Sequence, residues 1–322
     1  AATLGLLWLS QIEIGSSYVS HVLPSQIVMQ APRQALLDLQ ARRAAPGDDD
    51  HGPEPGLVDI HEEAAWSGPT VLKPGIGLDV RPHPHIGLAT VSYLFEGRLL
   101  HRDSIGSVQR ITPGDINWMT AGRGIVHSER VPDEDRGKDR RLHGLQLWVA
   151  LPPELEETEP AFQHVAASDI PVCTEPGGAV VRVLVGEALG QRSPVRAASP
   201  TLYLDVQLSA HSSWALPALA REMAIYSPEQ ALQVNGQDVA AQEMVVLVPG
   251  ETSAIAAGAQ GARFVVIGGA PLAQAVRMWW NYVSVDPQRI AAAARRWNEG
   301  GFDAIAGETE RVPGPSNFQH LS

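Results

Sequence analysis

Residues 81–130 read RPHPHIGLATVSYLFEGRLLHRDSIGSVQRITPGDINWMTAGRGIVHSER, and this stretch decides the fold of the chain. It holds two pairs of metal-capable side chains, His83 with His85 and His127 with Glu129. Each pair is spaced i, i+2, which on a β-strand sends both side chains to the same face. Two such strands side by side bring three imidazoles and one carboxylate to a single point. Between the pairs lie short β-branched and aromatic runs at 89–95, 99–102, 107–111 and 116–119. Glu96-Gly97, Pro113-Gly114-Asp115 and Gly122-Arg123-Gly124 separate them, as hairpin and turn residues do. Many short strands at this spacing predict a sandwich or small barrel. Arg123-Gly124 most simply serves a turn that needs an unusual φ.

Neutral imidazoles with one carboxylate are the donors that borderline divalent metals prefer. Three His and one Glu suit Fe(II), Mn, Ni or Cu better than a structural zinc cage. Such a set leaves coordination positions for water, a chelating substrate or dioxygen, and Glu129 is also placed to act as a base toward a bound hydroxyl. One His-x-His pair alone is weak evidence, since strand histidines are often ordinary surface residues; the second pair after a Gly-rich turn is what strengthens the case. His101, Arg102 and Asp103 read as a structural hydrogen-bonding set near the site. His143, Trp118 and Met119 read as core or as neighbours of the ligands, and His51, His164 and His211 as unrelated surface residues.

Outward from this stretch, 322 residues are enough for two domains. The chain is 44% hydrophobic and 19% charged, with 30 Gly and 25 Pro, which suits a β-rich protein with many turns. A net charge of −12 with scattered Lys and Arg excludes a basic field for nucleic acid. The single Cys173 allows no internal disulfide, and the apolar start AATLGLLWLS lacks a basic region and a cleavage site, so the expected address is cytoplasmic, with no membrane partner. Residues 1–28 suggest one or two strands and 32–43 a short helix, and 48–56 form an acidic, turn-rich loop. Residues 142–151 add a strand before the acidic, proline-bounded stretch that follows. These marks divide the chain into an N-terminal segment 1–74, a metal-binding domain 75–152, a linker 153–165 and a second β-rich domain 166–322. Near its end, residues 287–297 form a helix with Pro in its first turn, stopped by Gly300-Gly301.

The two halves share a faint repeat. Tyr93 leads through a strand pair to Pro113-Gly114-Asp115, and Tyr226 likewise to Pro249-Gly250-Glu251. On this alignment Leu216 and Ala218 stand where His83 and His85 would recur, and Arg263 where His127 would. The second half therefore reads as a copy of the fold without the metal site.

Residues 83–129 resemble, nearly position by position, the pirin family of the cupin superfamily, through HPHxG, TVxYLxEGxxxHRDSxG and GDxxWMTAGxGIxHSE. GEALGQRSPV at 186–195, the WWNYVS segment and the terminal helix extend the resemblance over residues 79 to about 310. It implies a mainly β chain of two tandem cupin domains, double-stranded β-helix jelly rolls, with a C-terminal helix. The first domain would bind metal through His83, His85, His127 and Glu129, and the second would be degenerate. Fe(II) is the first expectation, with Mn, Ni, Cu or Zn as alternatives. The implied activity is a quercetin 2,3-dioxygenase, with a small flavonol-like aromatic and dioxygen as substrates and Glu129 as base. The alternative is an iron-dependent, redox-responsive regulator with a protein partner. A monomer is expected. The chain departs from the family pattern in residues 1–74, which lack the usual aromatic run, and at Ala89, where many members carry glutamate.

Overall fold

The computed structural model describes residues 79–315 and two short strands before them. The first half runs β1 (Ile27–Met29), β2 (Thr70–Leu72), β3 (Val80–His85), β4 (Leu88–Glu96), β5 (Leu99–Asp103), β6 (Val108–Ile111), β7 (Ile116–Thr120), β8 (Ile125–Arg130), β9 (Arg140–Ala150) and β10 (Ala161–Val165). The second runs β11 (Val172–Thr174), β12 (Val180–Val185), β13 (Glu187–Ala188), β14 (Gln191–Arg192), β15 (Thr201–Leu208), β16 (Ser213–Leu216), β17 (Glu222–Tyr226), β18 (Leu232–Val234), β19 (Gln237–Val239), β20 (Met244–Val246), β21 (Ser253–Ala257), β22 (Ala262–Gly269), β23 (Arg277–Trp279), β24 (Tyr282–Ser284) and the helix α1 (Pro287–Asn298). The helix and acidic loop expected at 32–43 and 48–56 lie outside the described residues. Among the described residues no helix is long and apolar enough to cross a membrane.

Each half is a pair of antiparallel sheets. In the first, β1-β9-β4-β7-β10, with β2 also on β9, is joined across the barrel interior to β3-β8-β5-β6. In the second, β11-β12-β15-β22-β17-β20 is stacked on β16-β21-β18-β19. This is the tandem cupin architecture. Residues 161–165, inside the stretch expected to be a linker, form β10 antiparallel to β7 and so extend the first sheet.

Strand alternation divides the side chains between two cores. Ala89, Val91, Tyr93 and Phe95 of β4, with Leu145, Leu147 and Val149 of β9, pack against Tyr203, Tyr226, Val265 and Ile267 of the second half. The intervening Thr90, Ser92 and Gln146 are buried as well, on the opposite faces of these strands. Both faces of β4 and β9 are thus covered, which is why these strands read as near-continuous apolar runs.

The pairing registers align the two repeats. Tyr93 opposes Leu145 as Tyr226 opposes Val265, and His83 opposes His127 as Leu216 opposes Ser253. His101 opposes Glu129 as Val234 opposes Ile255. Leu216 therefore occupies the His83 position, as the sequence alignment has it, but the His127 and Glu129 positions fall to Ser253 and Ile255. Arg263 is the counterpart of His143, not of His127. The sequence alignment slips by one strand because the Gly-containing turn before β8 is matched to the turn after β21. In place of ligands, Trp214, Leu216 and Ile255 join Leu204, Phe264 and Val266 in an apolar core that fills the second barrel.

Candidate metal centre

β3 and β8 lie side by side, with His83 directly opposite His127 and His85 opposite Ile125. The turn joining β3 to β4 depends on Gly87, whose φ is +67° and where a Cβ would fall 1.9 Å from the Val283 carbonyl oxygen. The structure brings His83, His85 and His127 together: each offers a donor atom, all within 4.8 Å of one another, and all three side chains are buried. Nε2 of His85 lies 3.1 Å from Nε2 of His127. His83 Nδ1 is 2.9 Å from the Arg81 carbonyl and His85 Nδ1 is 3.2 Å from the Asn281 carbonyl, each carbonyl an acceptor for an N–H. Among the described residues, His127 Nδ1 is buried without a hydrogen-bond partner.

Glu129, at the next inward position of β8, is buried, but its carboxylate is not among the donor atoms that lie within 4.8 Å of one another. Its Oε1 accepts from Gln146 Nε2 at 2.7 Å and from Ser92 Oγ at 3.3 Å, so β9 and β4 hold it from the facing sheet. His101 forms a 3.0 Å contact from Nε2 to Asp103 Oδ2, and Asp103 Oδ1 accepts the N–H groups of Ile105 and Ser107. His101 and Asp103 thus form the hydrogen-bonding set expected there, without Arg102 in these contacts. Burial works against the Asp103 charge, but the hydrogen bonds from His101 and Ser107 outweigh it and hold the carboxyl below its ordinary range. His101 stacks on Phe162 of β10, with ring centroids 4.4 Å apart, and His85 meets the edge of Trp148. Met119, Trp148, Phe162, Leu272 and Met278 make one side of the site apolar.

Some roles differ from those expected. His164 is half-buried, with Nδ1 2.8 Å from Asn117 Oδ1, on the strand that carries Phe162. Trp118 and His143 are buried, as expected of core residues: Trp118 lies in the core between the halves, and His143 points to Glu229 of the second half, Nδ1 to Oε1 3.1 Å. Gln146, Ser92 and Phe162 had no sequence motif to mark them, and Asn281 was marked only as part of the WWNYVS segment. A single glutamine within the apolar run LHGLQLWVA of β9 is the one signal that was present.

Burial disfavours the charged imidazolium at all three positions. His83 is brought down to about 4, the Arg81 carbonyl opposing and His101 adding to the effect. His85 and His127 are lowered well below the ordinary histidine value by burial and by the neighbouring imidazoles. The metal-free fold thus holds these rings neutral, with lone pairs to donate. Two imidazole nitrogens each about 2.1 Å from one ion at a right angle would be about 3 Å apart, so the separation of His85 from His127 fits a shared ion. The imidazole donor set of these three residues fits a borderline divalent metal as well.

The same neutrality sets an acid limit. In the folded chain the three rings stay neutral below the ordinary histidine value, while the unfolded chain takes up protons there, so stability falls as pH drops from about 6.5 toward 4. The slope is about 1.4 kcal/mol per pH unit for each ring that titrates. Urea unfolding in chelator at pH 7, 6 and 5 measures it, and a flat midpoint across that range would contradict the buried neutral trio.

Family comparison agrees with this geometry. The Pirin family model matches residues 59–149, and the model of the pirin C-terminal cupin domain matches residues 203–303. A pirin-like protein of Caulobacter vibrioides is 42% identical over 236 residues, covering 72% of this chain and 81% of the relative. This chain belongs to the pirin family. Pirin-1 of Arabidopsis thaliana is 34% identical, over 60% of this chain and 68% of its own length. Among solved structures, the crystal structure of quercetin 2,3-dioxygenase from Acinetobacter baumannii matches with a TM-score of 0.71 and 35% identity, over 77% of this chain and 82% of that one. In this pirin the first cupin barrel carries the three-histidine cluster, and the family match reaches back to residue 59, ahead of the first histidine pair.

Proposed function

We propose that this pirin is an Fe(II)-dependent dioxygenase of the quercetin type, opening the ring of a flavonol-like aromatic with dioxygen and releasing carbon monoxide. The observation that carries the reading is the buried, neutral cluster of His83, His85 and His127, with Glu129 one inward position further along β8. These three histidines and Glu129 would hold the ion. When bound, the metal supplies Lewis acidity toward a chelating hydroxyl and the one-electron chemistry that dioxygen requires. Mn, Ni, Cu or Zn would fit the same donors, and Fe(II) is the choice that matches the oxidative reaction.

The chain's own side chains divide the remaining work. Glu129 takes the proton of the flavonol 3-hydroxyl at its carboxylate, and Gln146 and Ser92 hold that carboxylate in place through Oε1. Trp148, Met119 and Phe162 offer an apolar face to a flat aromatic and keep water from the reacting carbon. The second barrel, filled by its own core, serves as scaffold. The reading also takes the protein to be cytoplasmic.

Anaerobic loading with Fe(II), followed by quercetin and air, tests the proposal. Oxygen uptake with matching carbon monoxide release is the expected result. Neither signal from protein holding one iron per chain would overturn the dioxygenase reading and favour an iron-dependent regulator acting on a protein partner.

A further inference from the structure

The chain beyond residue 270 belongs in sequence to the second half, yet it folds back onto the first barrel. Its later part, through Trp297, Glu308 and Val312, packs on the outward-facing residues Val126, Ser128 and Arg130 of β8 and on Pro82 of β3. Val283 N–H donates to the Ile86 carbonyl at 3.1 Å, and Val312 N–H to the Pro82 carbonyl at 2.9 Å, so both ends of the His83–His85 pair are tied to it. Trp279, Tyr282, Ile290, Trp297 and Phe302 form one apolar cluster with Ile86 and Val126. The Asn281 carbonyl faces Nδ1 of His85.

Glu308 is the point of closest engagement. Its carboxylate accepts from Ser128 Oγ at 2.8 Å and pairs with Arg130 through both Nε and Nη2. Ser128 and Arg130 are the two residues flanking Glu129. Because side chains alternate along a strand, a group that holds both neighbours on the outer face fixes the inward direction of the residue between them. Glu308 and Arg130 are largely shielded, 10% and 13% exposed at their side chains, so the contact is stronger than a surface ion pair.

We propose that residues 277–312 position the metal ligands of the first barrel from behind, with Asn281 orienting His85 and Glu308 acting as the positioning residue for Glu129. The proposal rests on the metal reading given above. It extends that reading by making the donor geometry a property of the whole chain rather than of the first barrel. Outer groups that orient metal ligands commonly change affinity by 10- to 100-fold when removed.

Cobalt(II) titration of the 322-residue chain tests it, with the visible d–d absorption reporting ligand geometry. Glu308→Ala is expected to weaken cobalt binding about tenfold and to shift the band. Glu308→Gln, which keeps an acceptor for Ser128 but loses the charge facing Arg130, falls between. Gln233→Ala removes an exposed contact with Asp238 in the second barrel, outside residues 277–312, and keeps wild-type affinity. If both Glu308 variants bind cobalt within twofold of wild type with an unchanged band, whatever their thermal midpoints, the positioning role is overturned. If instead the wild-type chain binds no cobalt, or His127→Ala binds it as well as wild type, the metal reading itself fails and the proposal with it.

Discussion

Replacing His127 with alanine is expected to take the chain from one bound divalent ion to none. His127 is the middle donor of the cluster: it opposes His83 across the β3–β8 ladder and sits 3.1 Å from His85 between Nε2 atoms. Among the described residues its Nδ1 has no hydrogen-bond partner, so removing the ring breaks no protein hydrogen bond at that atom. Alanine also leaves a cavity costing a few kcal/mol, so midpoints of different variants are not the useful comparison. The useful quantity is the shift that metal produces within each variant. An ion at a thousand times its dissociation constant stabilises the native state by about 4 kcal/mol, which for a chain of this size is roughly ten degrees in Tm. The wild-type chain should show that shift with Fe(II) or Co(II), and His127→Ala should show none. An equal shift in both, with one ion per chain by elemental analysis, would place the site elsewhere.

The donor cluster is readable in the sequence because period-2 geometry needs no tertiary information: His-x-His and His-x-Glu on neighbouring strands share a face. The barrel is readable for a similar reason, since each strand is bounded by Gly, Pro or Asp at a turn. What the sequence does not show is anything that depends on which strand lies beside which. Arg263 looks like a lost histidine when turns are matched, and only the pairing of Tyr226 with Val265 puts it opposite the position of His143. Phe162 and His164 look like parts of a linker until β10 joins β7. Glu308, 180 residues from Ser128, sits in a polar, Pro/Gly-rich tail from Ala306 whose composition reads as an irregular surface strand or coil. Gln146 lies between these cases. A lone polar residue at an inward position of an apolar strand signals a buried partner, although the sequence does not name Glu129 as that partner.

Arg263→Ala is expected to cost about 3–5 kcal/mol, since it strips a fully buried carboxylate of its countercharge. Asp205 is fully shielded at its side chain, and the Arg263 guanidinium meets it in a two-point contact, Nε to Oδ1 at 2.9 Å and Nη2 to Oδ2 at 2.7 Å. The same carboxylate accepts from Tyr93 OH of the first half at 2.7 Å, and the guanidinium lies 4.4 Å over the Phe95 ring. Burial first, then the Asp205 charge and hydrogen bond, push the Tyr93 phenol far above its ordinary value, so it remains a donor throughout the working range. The pair is thus the polar seam of the core between the two barrels. The equivalent position of the first half, His143, points across the same boundary to Glu229. Arg263 on β22 reaches Tyr93 and Phe95 of the first half and His143 on β9 reaches Glu229 of the second, so each repeat sends one such side chain across the boundary. If the energy lies in the unpaired charge rather than in the contact itself, Asp205→Ala with Arg263→Ala should cost much less than the sum of the single changes. Lysine at 263 keeps the charge but not the planar fork, and should recover only part of the loss. Urea unfolding of the four proteins gives the coupling energy. Strict additivity would mean that the boundary is held by Tyr93, Tyr203 and the apolar residues around them, and that the ion pair is incidental to it.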